Sequence, residues 1–515
     1  MKTESLIRKV FSVEGEGKWI SINTKWQLDN AYLFWGVLAI ALSFFFINVA
    51  VNMDDVFIFF RVAKNIANGT GPVLNPGDGH FPVTSPLWVF LLAFLAKIFG
   101  FIDLVLIAKI VSTIFLGIAS FLAFLLLRRY IGSWAVLTPL PILFNFITVT
   151  TVGGEIALVY MNLFAVLWAY YLKRNFILTG LTAAAAYLAR PELILILPVL
   201  ALHYLLVWKK ENKTFRTMLT DWGKLAMAFL AIVSIWHVYY ALQFHSIFPN
   251  TLKTKVTQGK SGMWPLYYRL GRPLTLEMLA GKYLLAIPML LGLLYFREVS
   301  LSILLYTTLH YYAYKWLTIP YYHWYYYDFF LLVPMFTMFG IIALFLFPGK
   351  YLKIYVERHK PGFKFPLFLK ITAALFILFL AGAGVFITTK INNLSAYKND
   401  GRFLSYKKIA DSMKPKVKKG DVLLTPEIGI VGYYLEDAVI RDLSGIASPD
   451  VTAANINNLD YFVKIYSPRF IFFPFFMKQG KPVRYFLDKQ GKQVAYKLEY
   501  PQVDLSNPID CIFSL

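Results

Sequence analysis

Long apolar runs broken by short polar ones fill the chain as far as residue 389, and the pattern then changes. Residues 1–30 are polar and mixed in charge, a poor match to the short basic start of a cleaved signal. The run Ala31 to Val51 is long enough to cross a bilayer and reads as an uncleaved signal-anchor. A polar stretch, Asn52 to Ser85, follows it. Pro86–Phe101 is short for a crossing and carries Lys97, whereas Asp103–Leu127 is longer and ends in Arg128-Arg129. Further crossings are expected at 134–152, 156–172, 176–189, 192–208, 222–242, 283–297, 299–317, 328–348 and 367–388. That makes about eleven in all, with Pro191 breaking the chain between two of them.

Flanking charges set the direction. Lys2, Arg8, Lys9, Lys18 and Lys25 are placed in the cytoplasm, so the first helix exits to the far side. If both Pro86–Phe101 and Asp103–Leu127 crossed, Arg128-Arg129 would fall outside, against the positive-inside rule. Pro86–Phe101 is therefore expected to lie in the outer interface, within an outer loop spanning 52–102. The same parity brings Lys173-Arg174, Lys209-Lys210, Arg297 and the run Lys350, Lys353, Arg358, Lys360 and Lys364 inside.

Beyond Lys390 the sequence is polar, with short apolar stretches between Gly, Pro and Asp. Asp421–Thr425, Ala438–Ile440, Phe470–Phe473 and Val494–Leu498 are expected as strands and Ser405–Met413 as a helix. The expected fold is thus an all-α polytopic membrane core, 31–389, carrying a small C-terminal extracytoplasmic α/β domain, 390–515.

Composition removes the water-soluble alternative. Hydrophobic residues are 58% and charged residues 16%, with a mean hydropathy of +0.56, against roughly 45–50% and about 25% in ordinary globular domains. A net charge of +22 would suggest nucleic acid in a soluble protein. Here the basic residues flank apolar runs, where they orient helices and meet anionic headgroups, so no nucleic acid is expected. The single cysteine, Cys511, excludes an intrachain disulfide and a cysteine metal cluster.

Charge next to a bilayer is costly, so it marks candidate chemistry. Asp54-Asp55 directly follow the first crossing, and Asp54–Asn68 is expected as an amphipathic helix stopped by Gly69-Thr70-Gly71-Pro72. Arg61 lies seven residues from Asp54, on nearly the same face. The alternative role for Asp54 is an N-cap, with Asp55 a partner of the helix dipole. The Gly- and Pro-dense loop that follows can carry His80, Thr84 and Ser85 toward a site, or serve as a rigid connector. Glu155, beside Gly153-Gly154, can bind a sugar hydroxyl or a metal, or be a buried structural carboxylate. In the run Tyr321–Asp328 an aromatic belt explains most positions, and sugar or lipid-phosphate contact is the other reading of His323 and Tyr325.

The stretch Asp54-Asp55-Val56-Phe57-Ile58-Phe59-Phe60-Arg61, continuing through Asn65, Gly69-Thr70-Gly71, Asn75-Pro76-Gly77 and Thr84-Ser85-Pro86-Leu87-Trp88, resembles the first outer loop of GT-C glycosyltransferases. Within them it is most similar to the mycobacterial terminal arabinofuranosyltransferases and their bacterial relatives. Gly154-Glu155, Arg190-Pro191-Glu192, Phe248-Pro249-Asn250-Thr251 with Lys255, Trp324-Tyr325-Tyr326, Glu427–Tyr434 and Asp442-Leu443-Ser444-Gly445 resemble that branch in the same order. The relatives carry Gly-Tyr where this chain has Pro82-Val83, so no tyrosine contact is carried over there.

The resemblance implies an inverting transfer of a sugar from a polyprenyl-phosphate donor to an acceptor hydroxyl on a glycan, lipid or protein, at the outer face of a bacterial inner membrane. Asp54 is then the expected base and Asp55 the alternative. Arg61, Arg190, Lys253 or Lys255 would meet the leaving phosphate. The other readings are an internal pair between Arg190 and Glu192, and solvated loop charges for the two lysines. Some GT-C enzymes use a divalent cation and others do not; with no acidic triplet or His pair at ligand spacing, no obligatory metal or other cofactor is expected. The competing class, a transporter, flippase or lipid carrier, would show paired half-repeats and mid-membrane charges, and the sequence shows neither.

Overall fold

The computed structural model describes residues 30–208, 214–247, 249–261, 289–293, 297–320, 322–342, 401–448, 450–456 and 458–472, with strands at 476–478, 481–487, 493–496 and 512–514. The polar N-terminal segment, the expected crossing 367–388, most of 283–297 and Cys511 lie outside the described residues.

The helical part begins with α1 (Asn30–Asn48), α2 (Asp54–Ala67), α3 (Pro86–Ile98) and α4 (Leu104–Ile131). A helix of 13 residues such as α3 rises only about 20 Å, whereas the 28 residues of α4 rise roughly 42 Å. Trp88, Val89, Leu92 and Ala93 of α3 are buried, and Phe94 and Ile98 are exposed. At this length α3 falls among the shorter apolar helices.

The expected crossing 134–152 is corrected. It is not one helix but a 3-10 turn (Gly132–Leu137) followed by α5 (Pro139–Leu143) and α6 (Phe146–Thr150). Pro139 and Pro141 cannot continue a helix arriving from before them. Asn145 then restarts the chain, its side chain accepting from Thr148 N at 3.0 Å while donating back to Pro141 O and Ile142 O. The broken segment still runs back along α4, since Thr138 Oγ1 reaches Ser120 O and Gly154 O accepts from Ser112 Oγ. Glu155 is thereby returned to the end where α4 begins.

From there α7 (Ile156–Tyr171) and α8 (Phe176–Ala189) form an antiparallel pair. A second 3-10 turn (Pro191–Leu195) leads into α9 (Ile196–Trp208), followed by α10 (Phe215–Phe244), α11 (Asn250–Lys260), α12 (Arg297–Trp316) and α13 (His323–Ile342). The close approach of α8 to α10 requires Gly180, where a Cβ would stand 2.3 Å from Leu225 O. Among the described residues three helices are long and apolar enough to cross a membrane: Leu104–Arg128, Phe215–Phe244 and His323–Ile342. The apolar helices Ile156–Tyr171, Phe176–Ala189 and Pro191–Val207 are shorter.

The C-terminal region contributes α14 (Gly401–Met413), β1 (Val422–Leu424), α15 (Ile430–Tyr434), β2 (Val439–Arg441), α16 (Leu459–Tyr466), β3 (Phe470–Phe472), a hairpin-like β4 (Phe476–Lys478), β5 (Lys481–Leu487) and β6 (Gln493–Tyr496), and β7 (Ile512–Ser514). Its first sheet has the order β2-β1-β3-β7. Strand β1 runs parallel to β2 and β3, and β7 closes the edge antiparallel to β3. The loops leaving the carboxyl ends of β1 and β2 rest on the helical core. Phe57 of α2 packs edge-on against Tyr433 at 5.5 Å, with Phe403 at 5.7 Å. Four remote parts of the chain thus meet at one end of the bundle: the start of α2, the α6–α7 and α8–α9 junctions, and the start of α13.

Candidate functional site

Asp54 opens α2 after Met53, whose extended backbone ends the preceding segment. Its buried carboxylate accepts from Ile430 N at 2.8 Å and Gly429 N at 3.1 Å. The fit is tight, because a Cβ on Gly429 would stand 1.9 Å from Asp54 O. The residue expected first as a base therefore anchors the C-terminal region.

Arg61, two turns along α2, corrects the expectation of a phosphate contact. Its guanidinium donates to Leu74 O, Gly432 O, Leu435 O, Asn75 Oδ1 and Ala438 O. Burial lowers its pKa to about 10, with Asp78 and Glu436 opposing, so it stays charged at neutral pH. Asn75 pairs with the edge of β2, accepting from Ile440 N at 2.7 Å and donating to Ile440 O at 2.8 Å. Asp78 meets Arg441 at 2.7 Å. His80 Nε2 lies 2.9 Å from Ile446 O, so it too holds the C-terminal region. Ser85 is fully buried at the start of α3 and Thr84 half-buried before it; they belong to the packing of that helix. Arg61→Lys should test this docking: lysine keeps the charge but cannot present a planar fork to several carbonyls. Amide exchange across 430–441 should quicken at least tenfold, and unchanged exchange would remove Arg61 from that role.

The second carboxylate points elsewhere. Adjacent helical residues are about 100° apart, so half-buried Asp55 does not share the direction of Asp54. Its charge acts on Glu155 and on Tyr322. Glu155 closes the Gly153-Gly154 turn before α7. Burial pushes its carboxyl above the ordinary range, Arg190 works against this, and Glu192 and Asp55 add to it.

Arg190 ends α8 with an extended backbone, and its side chain is 1% exposed. Nη1 lies 3.2 Å from Glu155 Oε1, and Nε lies 2.6 Å from Glu192 Oε1, an ion contact without hydrogen-bond alignment. The guanidinium stands over the rings of Tyr325 and Tyr327, at 5.2 and 5.3 Å. Arg190 is thus an internal ion-pair centre joining two junctions, with its charge matched by Glu155 and Glu192.

Lys255 on α11 is half-buried against the aromatic rings. Its Nζ lies 4.5 Å from the Tyr322 ring centroid and 5.7 Å from that of Tyr325, and donates to Gln258 Oε1 at 3.2 Å. Lys253 is exposed on the same helix. The buried face of α11 carries Thr251, Thr254 and Gln258 instead. His323 packs against Trp324 and Phe146, whereas Tyr325 lies within the cluster.

Three residues of the cluster had not been expected: Gln258, Tyr322 and Glu427. Gln258 follows Lys255 at helical spacing, Tyr322 belongs to the aromatic run, and Glu427 opens one of the resembling stretches. Burial holds the Tyr322 phenol protonated well above its usual range. Lys255 opposes this, and Tyr325, Asp55 and Glu427 reinforce it, so all of these act on one hydroxyl. Among the described residues no three His, Cys, Asp or Glu side chains group as metal ligands.

No protein-family model matches the chain, and no curated protein matches it in sequence. Among solved structures, ArnT from Cupriavidus metallidurans in the apo state matches with a TM-score of 0.54 and 12% identity, over 86% of this chain and 92% of that one. ArnT from the same organism bound to undecaprenyl phosphate gives a TM-score of 0.49 and 14% identity, over 88% and 91%. At such identity the likeness is one of fold: this chain has an ArnT-like fold.

Proposed function

We propose that the chain is an inverting GT-C-type glycosyltransferase that moves a sugar from a polyprenyl-phosphate donor to an acceptor hydroxyl. The observation that carries this reading is the convergence, within an ArnT-like fold, of Asp55 with Lys255, Tyr322 and Tyr325 at one end of an apolar helical core. The basic flanks of the helices favour the outer face of a bacterial inner membrane for that end, with the N-terminus cytoplasmic.

Asp55 takes the proton of the acceptor hydroxyl as its oxygen attacks the anomeric carbon. The attack comes from the side opposite the phosphate, which inverts the centre. The bond from the anomeric carbon to the phosphate oxygen breaks, and its electron pair leaves on the polyprenyl phosphate. Lys255 Nζ and the Tyr322 hydroxyl meet that developing charge in a partly desolvated setting, where it is stabilised more than in water. Arg190, already matched by two carboxylates, holds the Tyr325 and Tyr327 rings in place. The outward apolar faces of the helices give the polyprenyl chain a lipid-facing path.

The test is a panel of polyprenyl-phosphate sugars offered to the full chain in lipid nanodiscs. Release of polyprenyl phosphate from one donor, with an inverted anomeric centre in the product, is the expected result. A donor that binds without turnover would favour a carrier, and no binding across the panel would overturn the proposal.

A further inference from the structure

Helix α11 carries Asn250, Thr254 and Gln258 four residues apart, so the three share one face. That face meets two successive carbonyls of the loop after β2. Gly445 O accepts from Asn250 Nδ2 at 3.2 Å and Thr254 Oγ1 at 2.9 Å, and Ser444 O accepts from Gln258 Nε2 at 3.0 Å. Buried Asp442 holds the loop in shape, accepting from Ser444 Oγ, Ile446 N and Ala447 N. Gly445 has φ +101°, and a Cβ there would crowd Val451 and Thr254. On its other side α11 lies flush against Thr318 O, where Gly259 leaves no room for a Cβ. The helix is seated from two directions.

Gln258 is 1% exposed, and its amide bonds on both sides. Oε1 accepts from Lys255 Nζ at 3.2 Å and from the Tyr322 hydroxyl at 3.5 Å. An ammonium only donates and a peptide carbonyl only accepts. The amide is therefore seated one way round, nitrogen toward Ser444 and oxygen toward Lys255 and Tyr322. A lysine ammonium rides on a flexible four-carbon stem. Here it is held by that oxygen and by the Tyr322 ring, whose centroid is 4.5 Å from Nζ. The acceptor is neutral, so it fixes the ammonium without cancelling its charge.

We propose that Gln258 is a positioning residue for the donor phosphate: it sets Lys255 Nζ and the Tyr322 hydroxyl as a pair and ties their placement to the loop Asp442–Ser448. This rests on the glycosyltransferase reading and adds to it that the C-terminal region governs affinity for the polyprenyl phosphate, through α11.

The experiment measures binding of polyprenyl phosphate to the full chain in lipid nanodiscs. Gln258→Met keeps the reach of the side chain and loses both hydrogen-bonding groups. Its Kd should rise about tenfold, the size of a lost hydrogen bond to a charged group. Lys255→Met should weaken binding at least as much. The double variant should fall well short of the product of the two effects, because Gln258 acts through Lys255. A residue that only supports the fold would lower the melting temperature and leave Kd within twofold of wild type. That outcome, or a double variant equal to the product, would overturn the proposal. Gln258→Glu serves if the Met variant does not fold. Its carboxylate pairs with Lys255 and offers Ser444 O no donor, so Kd should again rise about tenfold, and an unchanged Kd would overturn the proposal. If wild type binds no polyprenyl phosphate, the glycosyltransferase reading fails and the bridge is tested by itself. Amide exchange in 250–260 and in 442–448 should quicken together in whichever of the two Gln258 variants folds, and unchanged exchange in either segment would overturn it.

Discussion

Asp55→Asn should abolish sugar transfer while leaving the protein folded and the donor bound. The amide keeps the shape of the carboxylate and cannot take a proton, and loss of a positioned base costs typically 10²–10⁴-fold in rate. Donor binding depends on Lys255, Tyr322 and the apolar faces, so the donor Kd should stay within a few-fold of wild type. The neighbouring variant gives the contrast. Asp54→Asn removes the charge that two backbone amides donate to, and the expected loss is about 1–3 kcal/mol of docking stability, with turnover reduced in proportion to undocking. Single-turnover rates beside melting curves for both variants separate the roles. If Asp54→Asn is inert while its C-terminal region stays docked, the base is Asp54.

Arg190→Met should be the most destabilising single change at this end of the molecule. It strands Glu155 and Glu192, two buried carboxylates that share one guanidinium, and breaking a buried pair by removing one partner costs about 3–5 kcal/mol. Burial already raises the Glu155 carboxyl against the pull of Arg190, and without Arg190 it rises further. A carboxyl whose folded pKa lies above its unfolded value contributes stability below the unfolded pKa and loses it as pH rises through the folded one. The variant should therefore melt higher at pH 5 than at pH 8, and by a wider margin than wild type. Adding Glu155→Gln and Glu192→Gln should recover much of the stability and remove the extra pH dependence. A variant as stable as wild type at both pH values would show that Arg190 does not hold the junctions together.

The helices were legible because burial in lipid demands continuous apolar runs, and that demand is strongest where the chain is simplest, as in Leu104–Arg128 and Phe215–Phe244. The same signal read straight through Pro139 and Pro141, where average hydropathy stays high and backbone geometry forces a break. Four of the C-terminal strands were legible from short apolar runs between turn residues, β2 within one residue of its expected place, whereas β4, β5 and β7 had not been expected.

For the candidate site, spacing alone does not separate Asp54 from Asp55. Which carboxylate faces the cluster is decided by Gly429 and Ile430, far along the chain, and no local spacing reports such a contact. Arg61 shares a face with Asp54 as its spacing indicated, and that face meets peptide carbonyls. The choice between Lys253 and Lys255 needed the helix Asn250–Lys260, whose buried side carries Thr251, Thr254 and Gln258 and therefore turns Lys255 inward and Lys253 out.

The anchoring of α2 also fixes an order of assembly. Asp54 and Arg61 are made early, yet the amides and three of the carbonyls that satisfy them belong to residues 429–438. A nascent chain that has released only its helical core carries a carboxylate and a guanidinium whose final partners have not yet been synthesised. Domains generally fold in order of synthesis, so a segment made much later completes the partners of α2. A chain cut short before residue 429 should therefore keep its helices but leave Asp54 and Arg61 without these partners, which amide exchange in α2 would report.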